Sequence, residues 1–315
     1  MEATQTMNAI RSHHRGGPET LAYEPVARPV PVSGEVLVEV HAAAITPTEL
    51  TWDPTWSDER GKSRLPVIPS HEISGVVAKL GADVTSIAGG DEVYGLTDFY
   101  RDGGAAEFMI AKAAELASKP RSVDHVHAAA IPLSALTAWQ AFRTHAFLRA
   151  SQRVLIHGGA GGVGSFAVQL AKHFGAETIA TCSAGNADFV KSLGPDSVLE
   201  YDRRPFEEYL KDVDLVFDTV GGHTLDRSWR VLRRGGALIS VVAEPPATQA
   251  ERFGVHGKYF IVEPNRGQLV ELAKLVDDGR LKPIVSETFP LSDTRLAYEA
   301  ASRGHLRGKI VLRVR

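Results

Sequence analysis

Cysteine is almost missing from this chain of 315 residues: Cys182 stands alone. One thiol excludes an intramolecular disulfide framework and any lobe in which several cysteines enclose zinc. An excess of one charge is missing too. Lys and Arg number 35 against 38 Asp and Glu, for a net charge of −3. The basic pairs Arg203-Arg204 and Arg233-Arg234 are isolated, so no nucleic-acid footprint is present. No apolar run approaches the roughly 18 residues that cross a bilayer, and the stretch Met1 to Arg15 is polar, without the apolar centre of a secretory signal. There is no internal repeat and no low-complexity tract. With 43% hydrophobic residues, the chain is long enough for about two domains with cores of their own. These absences lead us to expect a soluble, cytoplasmic protein whose partner is a small molecule, not a nucleic acid or a membrane.

What is abundant is glycine, and its placement is informative. A β-branched run, Val154 to Ile156, enters the cluster His157-Gly-Gly-Ala-Gly-Gly-Val-Gly164, and an amphipathic helix leaves it. Gly159, Gly161 and Gly164 keep the G-x-G-x-x-G spacing of a dinucleotide site. Glycine serves there to turn the chain off a strand, to let a pyrophosphate approach bare backbone, and to pack helix against strand. Ala160, Gly162 and Val163 complete the loop whose N–H groups, with the helix dipole, would face phosphate. Val163, Ala167, Leu170, Ala171 and Phe174 recur at helical spacing behind it. At the end of the following strand, where an acid would grip the ribose of NAD, the chain reads Thr181-Cys-Ser-Ala-Gly-Asn186. Without that carboxylate nothing repels a 2′-phosphate, and Ser183 and Asn186 can donate to one. NADPH is therefore expected over NADH. The same two residues also suit a turn that caps the next helix.

Three textures follow one another along the chain. Up to about Pro120, short strands broken by Gly and Pro (Val36 to Ala42, Ile73 to Leu80, Ala106 to Lys112) suggest a barrel-like β domain. Val123 to Ala146 is alanine-rich and helical, interrupted by Pro132. From Arg153 to Val242 strands and helices alternate, which implies a doubly wound parallel sheet, with Ala237 to Val242 as a late strand and Tyr259 to Val262 as the last. Two helices (Gln268 to Asp278, Asp293 to Ser302) and a closing strand, Lys309 to Arg313, end the chain.

The order of these parts resembles the medium-chain dehydrogenase/reductase superfamily, in its zinc-free quinone oxidoreductase branch, to which zeta-crystallin belongs. The resemblance runs nearly end to end. It is carried by Arg15-Gly-Gly-Pro-Glu-Thr-Leu21, Gly34-Glu-Val-Leu-Val-Glu-Val40, Pro69-Ser-His-Glu-Ile-Ser-Gly75, Gly90-Asp-Glu-Val-Tyr-Gly95, Ala129 through Ala141, Asp218-Thr-Val-Gly-Gly222 and Gly308-Lys-Ile-Val-Leu312. It implies a Rossmann sheet inserted into a GroES-like β-barrel catalytic domain: residues 1–122 and 264–315 for the catalytic domain, 123–263 for the NADP-binding domain, with the active site in the cleft. It further implies that Ser183, Asn186 and Tyr201 meet the 2′-phosphate. Val220, Val242 and the segment Phe260, Ile261, Val262 would lie near the nicotinamide, partly through backbone. Tyr201 also suits an ordinary strand-end aromatic. A homodimer is implied by relatives.

His71-Glu72 stands where zinc-dependent alcohol dehydrogenases keep a histidine ligand and an adjacent carboxylate. Their cysteine position holds Thr46 here, which has no thiolate to offer, so no metal is expected and His71 reads as a structural histidine. The economical chemistry is hydride transfer from NADPH to a quinone or α,β-unsaturated carbonyl. Thr46 is the candidate catalytic hydroxyl, and Trp52, Trp56 and Tyr94 are candidate walls of the substrate pocket. The tryptophans equally suit a hydrophobic plug under a loop. A non-catalytic NADPH-binding protein, structural or regulatory, and a reductase of carrier-bound enoyl groups are the competing readings.

Overall fold

A computed structural model describes residues 5–315; residues 1–4 of the expected first segment lie outside it. Two sheets organise the chain. Six parallel strands follow one another across the first: Ser197–Glu200, Glu177–Cys182, Arg153–Ile156, Val213–Asp218, Leu232–Ser240 and His256–Tyr259. Numbered along the chain within this sheet, the order is 3-2-1-4-5-6, the Rossmann arrangement, and it reverses between Arg153–Ile156 and Val213–Asp218. Ligands bind outside the carboxyl ends of the strands at that point.

The second sheet is built around Glu35–Ile45, an eleven-residue strand. It pairs antiparallel with Glu72–Leu80, with Phe108–Lys112 and with the closing strand Lys309–Arg313. The closing strand therefore returns to the sheet that the N-terminal third began. Val285–Pro290 lies parallel to its outer side.

The helical connection begins with His125–Ala129, whose Asp124 cap accepts from the His127 N–H at 2.8 Å. Pro132 does not break a helix but starts one, Pro132–Gln140, at the position where its missing N–H and fixed φ cost nothing. Every residue of that helix except Trp139 is buried. Its small side chains let it pack against Gly162–His173, so the two form one core with the sheet. Burial of each large apolar side chain in such a core is worth about 1.5–3 kcal/mol, which is why tertiary packing rather than helix propensity holds these segments.

Two expected strands are displaced. The fifth strand of the parallel sheet ends at Ser240, and the sixth at Tyr259. Phe260 and Val262 lie past the sixth strand and are 7% exposed, packed into the core, whereas Ile261 is 62% exposed. The register starts earlier because the helix Ala247–Phe253 ends on Gly254, in a left-handed conformation (φ +64°) that feeds the chain directly into His256.

Candidate active site

The glycine cluster forms the turn at the switch point. Gly158 sits at φ +71°, and the helix Gly162–His173 begins so close behind it that a Cβ on Gly164 would lie 2.0 Å from the Gly158 carbonyl oxygen. Gly159 is packed more loosely: a Cβ there would lie 3.1 Å from the Ala180 Cβ. No side chain caps the helix at Gly161, so the N–H groups of its first turn face the cleft with their dipole. His157 holds the turn from below. Its ring bonds Thr181 Oγ1 at 3.1 Å and Ser228 Oγ at 3.0 Å, and complete burial pushes its pKa down to about 3, which keeps it neutral. Across the switch point Asp218 accepts from the N–H groups of Val220 and Gly221 and from Ser240 Oγ.

A cavity of about 550 Å³ runs from this turn into the space between the two sheets. Ala160, Gly161, Gly162 and Val163 line it, with Ser183, Asn186 and Tyr201 at one end and Thr46 at the other. Gly159 and Gly164 stand behind the lining and shape the turn. Val220 and Val242 are about half exposed and outside the lining; Val242 reaches within 2.8 Å of the position a Cβ on Gly221 would take. None of the three expected pocket walls is brought to the cavity lining. Tyr94 is fully buried, its hydroxyl donating to the Leu269 carbonyl at 2.6 Å. Trp56 is 3% exposed and donates to the Leu50 carbonyl at 3.0 Å, which makes it the plug rather than the wall. Trp52, half-buried, packs edge-on against Phe99 and is also outside the lining.

Residues missed from the sequence join the site from the closing segment. Lys309 lines the cavity though it is only 5% exposed. Its Nζ lies 2.5 Å from Glu72 Oε1 and donates to Thr46 Oγ1 at 3.1 Å. Gly308 donates to the Ala160 carbonyl at 2.9 Å, tying the segment to the glycine turn. Arg307 reaches the opposite end, where Nε donates to Asn186 Oδ1 and Nη2 to the Gly185 carbonyl, both at 2.8 Å. Asp202 accepts from the Ala184 N–H in that turn.

Glu72 is paired with Lys309, and its second oxygen accepts from the Leu133 N–H at 3.0 Å. His71 is 3% exposed, 3.4 Å from Glu49 Oε1, with its pKa pushed down to about 3 by burial. Cys182 lies with Ser183 at the nucleotide end. Among the described residues, no group of three or more His, Cys, Asp or Glu is placed to hold a metal ion.

Comparison with known proteins agrees with this architecture. Residues 32–121 match the alcohol dehydrogenase GroES-like domain, and residues 193–312 match the family described as zinc-binding dehydrogenase. The mouse protein named NAD(P)H oxidoreductase RTN4IP1, mitochondrial, is 32% identical, over 89% of this chain and 82% of its own. The Arabidopsis thaliana NADPH-dependent alkenal/one oxidoreductase, chloroplastic, is 32% identical over 94% of this chain and 77% of its own. The quinone oxidoreductase structure from Coxiella burnetii superposes with a TM-score of 0.92 at 31% identity, covering 99% of this chain and all of that one. The cytoplasmic expectation is overturned here, since the mouse relative carries a mitochondrial name; polarity near the N-terminus was a poor guide to compartment. By sequence and by fold, the chain belongs to the medium-chain dehydrogenase/reductase superfamily, in its quinone oxidoreductase (zeta-crystallin-like) branch.

Proposed function

We propose that the protein is an NADPH-dependent, zinc-independent oxidoreductase that passes a hydride to a quinone or an α,β-unsaturated carbonyl in the cleft. The observation that carries this reading is the continuous cavity joining an uncapped helix start and glycine turn to Thr46 and Lys309. The names of the mouse, Arabidopsis and Coxiella relatives support the reaction class. When bound, the nicotinamide supplies the hydride, and the protein supplies position and electrostatics.

The residues divide that work. The N–H groups from Gly161 to Gly164 would hold the pyrophosphate. Ser183, Asn186 and Tyr201 stand at the end of the cavity where the adenosine 2′-phosphate would lie, and the Arg307 guanidinium beside Asn186 adds the positive charge that a phosphate needs. Thr46 faces the opposite end as the hydroxyl for the substrate oxygen. Conjugated acceptors take up hydride without a Lewis acid, unlike a simple ketone, and that suits a position where a lysine–glutamate pair occupies the donors.

Initial rates of NADPH oxidation with a planar quinone and with a short enone, after exhaustive chelation, test the proposal. Turnover that survives chelation is expected. Turnover lost on chelation and restored by zinc would overturn the zinc-independent part. Tight NADPH binding with neither acceptor reduced would favour a binding protein instead.

A further inference from the structure

Lys309 poses a problem of energetics. Its side chain runs along the start of the helix Gly162–His173, so closely that a Cβ on Gly162 would meet Lys309 Cδ at 2.8 Å. The charged end then enters an almost fully buried position opposite Glu72, which is 1% exposed. A buried ion pair gains little over well-packed apolar residues of the same volume. Fold stability alone therefore gives no reason for a lysine at the mouth of the cavity. Its second contact does give one. Nζ also holds Thr46 Oγ1, at 3.1 Å, and the bond from that hydroxyl to Glu72 is long, at 3.4 Å. The Thr46 proton is thus weakly committed, and the hydroxyl is free to turn toward the cavity that both residues line.

We propose that Thr46 and Lys309 form the anion clamp and proton path for the substrate oxygen, with Glu72 fixing the lysine. The proposal rests on the hydride-transfer reading and names the residues that complete it. As a hydride is received at the β-carbon of an enone, a C–H bond forms there and the C=C π pair shifts, so that the carbonyl π pair comes to rest on oxygen. Thr46 Oγ gives that oxygen its proton, Lys309 Nζ restores the Thr46 O–H, and solvent returns a proton to the amine. The enol tautomerises in water to the saturated ketone. The net reaction is enone, NADPH and one proton to ketone and NADP⁺. Lys309 acts through Thr46 as a positioning residue; Thr46 touches the substrate.

The test uses 4-nitrophenol as the probe of an anionic oxygen, bound to the full-length protein in the presence of NADP⁺ and followed by the absorbance of its phenolate form. The wild type is expected to bind the phenolate in preference to the phenol. Thr46→Val, which leaves the Lys309–Glu72 pair intact, is expected to lose that preference, and Thr46→Ser to keep it. Lys309→Met is expected to lose it as well, with Lys309→Arg restoring it in part. Because Lys309→Met strands a buried carboxylate, the threonine variants keep the test decisive if the lysine variant does not fold. In turnover, Thr46→Val is expected to lower kcat for an enone roughly 100-fold, the usual effect of one lost oxyanion donor. The NADPH dissociation constant, read by nucleotide fluorescence, is expected to stay unchanged. Phenolate binding as tight in Thr46→Val as in wild type would overturn the proposal. So would weakened NADPH binding with kcat retained, which would make these residues cofactor anchors. A wild type that binds the phenolate but reduces no acceptor would retain the clamp and sink the hydride-transfer reading.

Discussion

Glu49 shows how far a single side chain depends on its surroundings. It is wholly buried, faced by Ser70, Tyr298, His71, Glu72 and Lys309, and desolvation pushes its pKa up to about 7 despite hydrogen bonds from the Ser70 N–H and the Tyr298 hydroxyl. A carboxyl raised from 4.5 to about 7 binds its proton more tightly in the folded state. Its contribution is fully present below pH 4.5 and is lost as pH rises to 7, by ~3 kcal/mol. His71 and His157, both pushed down to about 3, work in the opposite direction below their unfolded value of 6.5, so the wild-type profile hides the effect. Glu49→Gln exposes it. Denaturant unfolding at pH 5 and pH 7.5 is expected to show the variant gaining stability relative to wild type as pH rises, and a constant difference would contradict the assignment. At this scale the sequence was only partly legible. The glycines and Thr46 could be found because their meaning lies in local spacing. Lys309 could not, because its partners Thr46 and Glu72 are more than 200 residues away and only the fold joins them. Tyr94 and Trp56 were misplaced because an aromatic residue in a sequence carries no direction.

Among elements, the strand–turn–helix from Arg153 to His173 was readable nearly to its boundaries, since β-branching, glycine and a helical apolar stripe agree there. The helix Ala247–Phe253 was not found, and the structure shows why: none of its residues is fully buried, and only Ala250 and Phe253 pack against the core, too few to leave an apolar stripe. Missing it displaced the expected sixth strand toward Val262. The segment 303–307 was likewise unremarkable in sequence, yet together with Gly308 it links the closing strand to the glycine turn, through the Gly308 N–H, and to the Asn186 end of the cavity, through Arg307. If Arg307 helps hold the 2′-phosphate, Arg307→Ala is expected to weaken NADPH binding by about tenfold, the scale of one charge-assisted contact. NADH binding is expected to be little changed. Fluorescence titration with both nucleotides measures this, and an equal loss for both would assign Arg307 to shaping the turn instead.

On the scale of the whole molecule, the fold class followed from the alternation of strands and helices after residue 153 and from the β-rich stretch before it. The return of the last strand to the second sheet is visible as the pairing of Ile310 with Ile45. This return brings Lys309 into the cavity lining and Arg307 against Asn186, with Thr46, Leu133, Ser134 and the glycine turn among the other walls. The compartment was not legible, because targeting is read by other proteins and leaves no trace in packing. On the function proposed above, the cavity aligns a nicotinamide with a conjugated acceptor for direct hydride transfer. The measurement that tests it most directly is reduction of an enone in ordinary water with NADPH deuterated at C4, on each face of the ring in turn, followed by mass spectrometry and NMR of the product. One deuterium at the β-carbon, from one of the two labelled faces only, is the predicted result. A product without deuterium from either face, or no product while the cofactor binds, would contradict the account.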